Sequence, residues 1–123
     1  MAGNELIQID AIKSRIFTIR GMQVMLDSDL AELYGVETKN LNLAVKRNIE
    51  RFPNTFRFQL AEEEYKVLRL QIETSNEKRG GRRYAPFVFT EQGVAMLSAV
   101  LRSETAIKVS IRIMEAFVSM RHF

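Results

Sequence analysis

Residues 26–52 read LDSDLAELYGVETKNLNLAVKRNIERF. Apolar residues recur there at helical spacing in two runs, separated by Gly35. Asp27 or Ser28 is suited to cap the first run, with Glu32 close behind, and Gly35 is suited to end it. Thr38 is suited to cap the second run, and Pro53 stops it, which predicts a helix over 38–51. Against the spacing of a helix-turn-helix, Ala31 is small where the second helix crosses closely. Gly35 falls in the turn. Leu30, Tyr34, Val36, Leu41 and Ala44 fall at the positions of the interhelical core.

The same apolar skeleton would serve two ordinary core helices, so the outward positions have to distinguish the readings. On the second helix these are Thr38, Lys39, Asn42, Leu43, Lys46 and Arg47, followed by Glu50 and Arg51. Asn pairs bidentately with adenine, Lys reaches guanine or phosphate, and Leu meets a thymine methyl. Thr38 and Lys39 stand at a helix N-terminus, where free N–H groups bind phosphate. The competing reading is a solvated helix face that happens to be basic.

The charge distribution favours an anionic partner. Net charge is +3, but residues 1–37 carry three basic and six acidic side chains. Residues 38–57 carry Lys39, Lys46, Arg47, Arg51 and Arg57 against Glu50 alone. A second basic block, Lys78, Arg79, Arg82 and Arg83, surrounds Gly80 and Gly81 and contains no acid. It reads as an exposed loop able to grip phosphate from beside the domain, like a wing. It is not a phosphate-binding loop, since it lacks the Gly-Lys-Ser/Thr pattern.

Around this centre the chain reads as α+β, with short antiparallel strands and two C-terminal helices. Residues 5–13 suit a short helix or an ordered arm. Residues 15–26 read as two short strands turning at Arg20 and Gly21. Residues 55–60 alternate, with Phe56, Phe58 and Leu60 on one side and Arg57 and Gln59 on the other. Residues 61–72 place Tyr65, Leu68 and Ile72 at helical spacing. Residues 84–89 form a partner strand for 55–60, and Pro86 argues for an edge position. Thr90 begins a helix to about Arg102, and Ser103 begins the last.

That last helix carries two apolar stripes. Ile107, Ile111, Met114 and Val118 form one; Val109, Ile113, Ala116 and Met120 form the other. A core-facing helix usually buries one stripe of about 100°. The second stripe is therefore expected either to be wrapped by the chain itself or to be a homodimer interface through Val109, Ile113, Ala116 and Met120.

Composition narrows the function classes. The chain has 123 residues, no Cys and one His. That length suits one domain over 1–123. The absence of Cys excludes disulfides and thiolate metal sites, and a reducing cytoplasm is expected. No metal, cofactor or catalytic constellation is expected: His122 stands near the end, and Glu62, Glu63 and Glu64 are consecutive and cannot converge on one ligand. No apolar run approaches the roughly 20 residues that span a bilayer. The chain is thus expected not to be an enzyme. It stops inside a helical pattern, as a short protein would, or as the piece of a longer one preceding an effector module.

Taken together, IRGMQVMLDSDLAELYGV, LNLAVKRNIERFP, FRFQL, GGRRYAPFVFTEQGVAML and SAVLRSETAIKVSIRIMEAF resemble the phage ORF-six N-terminal domain family, related to the KilA-N and Bro-N DNA-binding domains. The resemblance covers about residues 12–118. It implies a DNA-binding regulatory domain of phage or prophage origin, antirepressor-like, with double-stranded DNA as partner. The alternative is a module that binds a repressor protein without touching DNA.

Overall fold

The computed structural model describes residues 8–73 and 85–121. Its elements in chain order are α1 (Ile9–Lys13), β1 (Phe17–Ile19), β2 (Met22–Leu26), α2 (Asp27–Tyr34), α3 (Thr38–Lys46), β3 (Arg57–Gln59), α4 (Glu62–Glu73), β4 (Phe87–Phe89), α5 (Glu91–Leu101) and α6 (Glu104–Met120), with a 3-10 turn at Ile49–Arg51. The architecture is α+β. Four antiparallel strands lie in the order β1-β2-β4-β3.

The sheet is assembled by one local turn and two long-range pairings. Arg20 and Gly21 both take positive φ, which closes the β1–β2 hairpin in two residues. Arg20 then reaches across to α4, donating to Glu64 at 2.8 Å and lying 4.3 Å over the Phe58 ring. That ion pair holds the Glu64 carboxyl below its ordinary range. β4 pairs with β2 on one side and β3 on the other, so it is an interior strand. The edge position expected from Pro86 is therefore incorrect. Pro86 precedes the strand and costs it no ladder donor: the Pro86 carbonyl accepts from Leu60 N, and the first ladder residue, Phe87, has its own N–H.

Strand alternation divides the core in two. Val24, Leu26, Val88 and Phe58 face one way and are covered by Leu68 of α4. Met25 and Phe89 face the other way, toward α1, α2, α3, α5 and α6. Phe56 does not share the Phe58 and Leu60 side, as the alternating pattern would have it. It lies in the turn before β3 and packs against the helical side.

Thr90 and Ser103 cap α5 and α6, accepting from Gly93 N and Ala106 N. The caps of α2 and α3 differ from expectation. Leu26 and Glu37 hold those places without side-chain bonds, and Asp27 and Thr38 are the first helical residues. Gly35 ends α2 at φ +76°, where a side chain would be strained.

The α6 assignment is reversed relative to the sequence reading. Ile113 and Ala116 are fully buried, and Val109 and Met120 pack against the same core. The dimer interface expected there is thus intramolecular: α1 and α5 both pack on α6 and cover that stripe. The other stripe is left largely outside: Ile107, Ile111 and Val118 are 50%, 49% and 38% exposed, and Met114 between them is half-buried against the edge of the core.

One polar pair crosses the helical core. Tyr34 of α2 and Ser110 of α6 share a hydrogen bond of 2.7 Å, both buried. Burial, opposed by that bond, pushes the Tyr34 phenol up to about 12. Between pH 10 and 12 the unfolded chain has then released this proton while the folded chain retains it, so stability falls as pH rises through that window. The loss attributable to Tyr34 should approach about 2 kcal/mol by pH 12. Urea unfolding at stepped alkaline pH, compared between the wild type and Tyr34→Phe, isolates it; equal slopes for the two proteins would show that Tyr34 is not held this way.

Candidate nucleic-acid interface

α2 and α3 are joined by residues 35–37 and pack closely on each other, and α3 also packs on α5. Leu30, Ala31, Tyr34 and Leu41 are buried in the core these helices share. Val36 does not: it is 40% exposed. Ala44 is only half-buried, and Val45, which is not among the expected core positions, is fully buried in its stead. Leu41 and Val45, one turn apart, therefore define the inner face of α3.

The outer face follows from that choice. Lys39, Leu43, Lys46 and Arg47 are exposed, and so are Glu50 and Arg51 just beyond. Among the described residues, Lys39, Lys46 and Arg47 make no ion pair. Arg51 directs one guanidinium nitrogen toward the Met96 sulfur at 3.9 Å. The helical span is shorter than 38–51. α3 ends with Lys46, and the chain tightens into the 3-10 turn after Asn48, whose amide donates back to the Ala44 carbonyl. Thr38 is half-buried, and the acidic Glu37 is exposed at the helix start. A carboxylate there opposes phosphate at the N-terminus, so the end of the helix with Lys46 and Arg47 is the one better suited to an anion.

Two expected contacts are used internally. Asn42 donates from Nδ2 to Asp27 Oδ2 at 2.9 Å and accepts at Oδ1 from an Arg57 guanidinium nitrogen at 3.4 Å. Both ends of its amide are occupied, so a bidentate pair with adenine would require breaking this network. Arg57 is half-buried, with its guanidinium 3.7 Å from the Phe87 ring centre. Burial lowers its pKa and the nearby Asp27 charge opposes that shift. The register explains its position: Arg57 pairs with Phe89, which puts it on the helix-facing side of the sheet. Asp27, fully buried, also accepts from Phe87 N at 3.3 Å. Asp27, Asn42 and Arg57 thus fasten α3 to α2 and to the sheet, and leave the groups around Leu43 as the outward surface.

From the sequence, Asp27 is expected to cap a helix and Asn42 and Arg57 are expected to meet DNA. The available signal was Arg57 itself, a cation placed between two apolar neighbours in a strand. The second basic block, Lys78, Arg79, Arg82 and Arg83, lies outside the described residues.

No helix among the described residues is long and apolar enough to cross a membrane, and among them no group of three or more His, Cys, Asp or Glu could hold a metal ion. Comparison with family models finds one described as the ORF6N domain, matching residues 14–100. No curated protein and no solved structure matches the chain. The matched segment runs from before β1 into α5, and so contains α2, α3 and the whole Asp27 network.

Proposed function

The chain belongs to the ORF6N family of phage-type domains, and on that premise we propose that it binds duplex DNA through the outer face of α3, as the DNA-reading part of an antirepressor-like regulator. One observation carries the reading: α3 turns Leu41 and Val45 inward, and Lys39, Lys46 and the C-capping Arg47 are exposed with no ion pair among the described residues. An α-helix, about 10–12 Å across with its side chains, fits a major groove about 12 Å wide. Leu43, 42% exposed between the cations, is placed to touch a thymine methyl. Lys46 and Arg47 supply the phosphate or guanine contacts. No catalytic role is proposed.

A second reading rests on apolar exposure. Val36, Leu43 and Ile49 are 40%, 42% and 51% exposed, which suits a protein partner such as a repressor. Salt separates the two. Each phosphate contact contributes roughly 0.9 to the slope of log affinity against log salt. The test starts by selecting bound duplexes from a random pool at low salt, then follows their affinity by fluorescence anisotropy across a salt series. Replacing both Lys46 and Arg47 by Ala should lower the slope by about 1.8 and weaken binding at least tenfold at moderate salt. Failure to retain any duplex, or an unchanged slope in the double variant, would reject DNA reading by this face.

A further inference from the structure

We propose that the outward stripe of α6 is the contact surface of a two-fold, antiparallel pair of α6 helices from two copies of this chain. Ile107, Ile111, Met114 and Val118 are separated by four, three and four residues, the alternation of a two-helix seam. Ile107, Ile111 and Val118 are exposed, and Met114 is half-buried, packed against the core on one side and open on the other. Ile111, Met114 and Val118, with Glu115, line a shallow hollow of about 320 Å³ into which a facing side chain can insert.

The charges at the ends and flank of the stripe choose the occupant. Continuing the same alternation outward reaches Glu104 at one end and Arg121 at the other, both exposed. In an antiparallel two-fold pair, Ile107 faces Val118 of the second copy and Ile111 faces Met114. Glu104 then faces Arg121, and Lys108 on the flank faces Glu115. Each of these polar contacts joins opposite charges, and the symmetry makes each twice. Arg121 already holds Glu91 of its own chain, and Glu115 holds Arg112 at 3.3 Å, so the added contacts extend existing pairs. A parallel pair would put Glu104 against Glu104 and Arg121 against Arg121, like charges at both ends. The other flank cannot supply compensation, because Ser110 and Phe117 are buried in the core. The stripe is therefore complementary to itself in one orientation.

The seam runs about 25 Å along the helix. It is narrow, which corresponds to a reversible dimer near the lower limit of specific interfaces. This inference does not rest on DNA binding, and its test reads assembly alone.

Sedimentation equilibrium of the chain from about 5 to 200 micromolar, without DNA, brackets a Kd near 10⁻⁵ M and should show monomer passing to dimer. Lys108→Glu should weaken the dimer, and Lys108→Glu with Glu115→Lys should restore it, both variants keeping the wild-type circular dichroism. Because the sequence has no cysteine, Ile111→Cys and Met114→Cys report register directly. Mixed and mildly oxidised, they should give the unlike product well in excess of either like product. A monomer throughout the range overturns the proposal. An excess of like products, or a double charge variant as weak as Lys108→Glu, overturns the antiparallel pairing.

Discussion

Asp27→Ala should destabilise the fold by about 3 kcal/mol, lowering the melting temperature by roughly 10 °C. Asp27 is the first residue of α2 and is fully buried. Its carboxylate accepts from the Asn42 amide on α3 and from Phe87 N on β4, and it is the negative charge near the half-buried Arg57 guanidinium. Truncation to Ala leaves two donors unpaired and a cation without that compensation, and each unsatisfied buried group costs about 1–3 kcal/mol. Asp27→Asn keeps an acceptor oxygen while removing the charge, and should fall between the wild type and Asp27→Ala. The effect should reach beyond stability. Asn42 is on the helix that carries Lys46 and Arg47, so the variant that still folds in the cold should present α3 less firmly and bind DNA less selectively. Chemical denaturation monitored by circular dichroism measures the first part; a loss below about 1 kcal/mol would mean that the network is not what fixes α3 to the sheet.

This network also marks the boundary of what could be read from the sequence. The β1–β2 hairpin, and the α5 and α6 starts at Thr90 and Ser103, were legible because turn and cap chemistry acts within a few residues. The inner face of α3 was only partly legible. Leu41 was read correctly, but Ala44 and Val45 are adjacent apolar residues, and which one turns inward depends on α5. For α6 the two stripes are almost equally apolar, so periodicity carried no information about which one α1 and α5 would cover. Asn42 and Arg57 have the side chains expected of a DNA contact. Their inward position comes from the pairing of Arg57 with Phe89 across β3 and β4, a contact between residues 32 positions apart in the numbering of that register. Pro86 misled for a related reason: a missing N–H matters only if the ladder needs a donor at that residue, and the ladder begins one residue later.

Gly93→Ala tests how tightly α5 is seated. Gly93 lies in the first turn of α5 and is buried. By intrinsic propensity alone, Ala in place of Gly should stabilise a helix by about 1 kcal/mol. The surroundings predict the opposite sign. A Cβ at this position would collide with the Phe56 carbonyl oxygen, and would sit 3.0 Å from the Phe56 carbonyl carbon and 3.3 Å from Cδ2 of Phe89. The nearest obstacle is backbone, which cannot rotate aside as a side chain can. It is also a backbone in use: the Phe56 carbonyl accepts from Thr90 N at 3.0 Å, and Thr90 Oγ1 donates to the Thr55 carbonyl at 2.8 Å. Relieving the clash would push α5 away from the start of β3 and stretch the bonds that anchor its capping residue. Overpacking of a tight core costs about 1–3 kcal/mol, occasionally more, and the lost cap bonds add about 1 kcal/mol. The net expectation is a loss of about 3 kcal/mol. Ser98→Ala, on the same helix and only half-buried, should stay within about 0.5 kcal/mol of the wild type, which separates a close-approach effect from a general response of α5 to substitution. Because α3 packs on α5, the displaced helix should also disturb the Lys46 and Arg47 face, so residual DNA binding by Gly93→Ala should weaken even where the protein remains folded. Stability equal to or above that of the wild type would show that α5 does not approach the Phe56 backbone this closely.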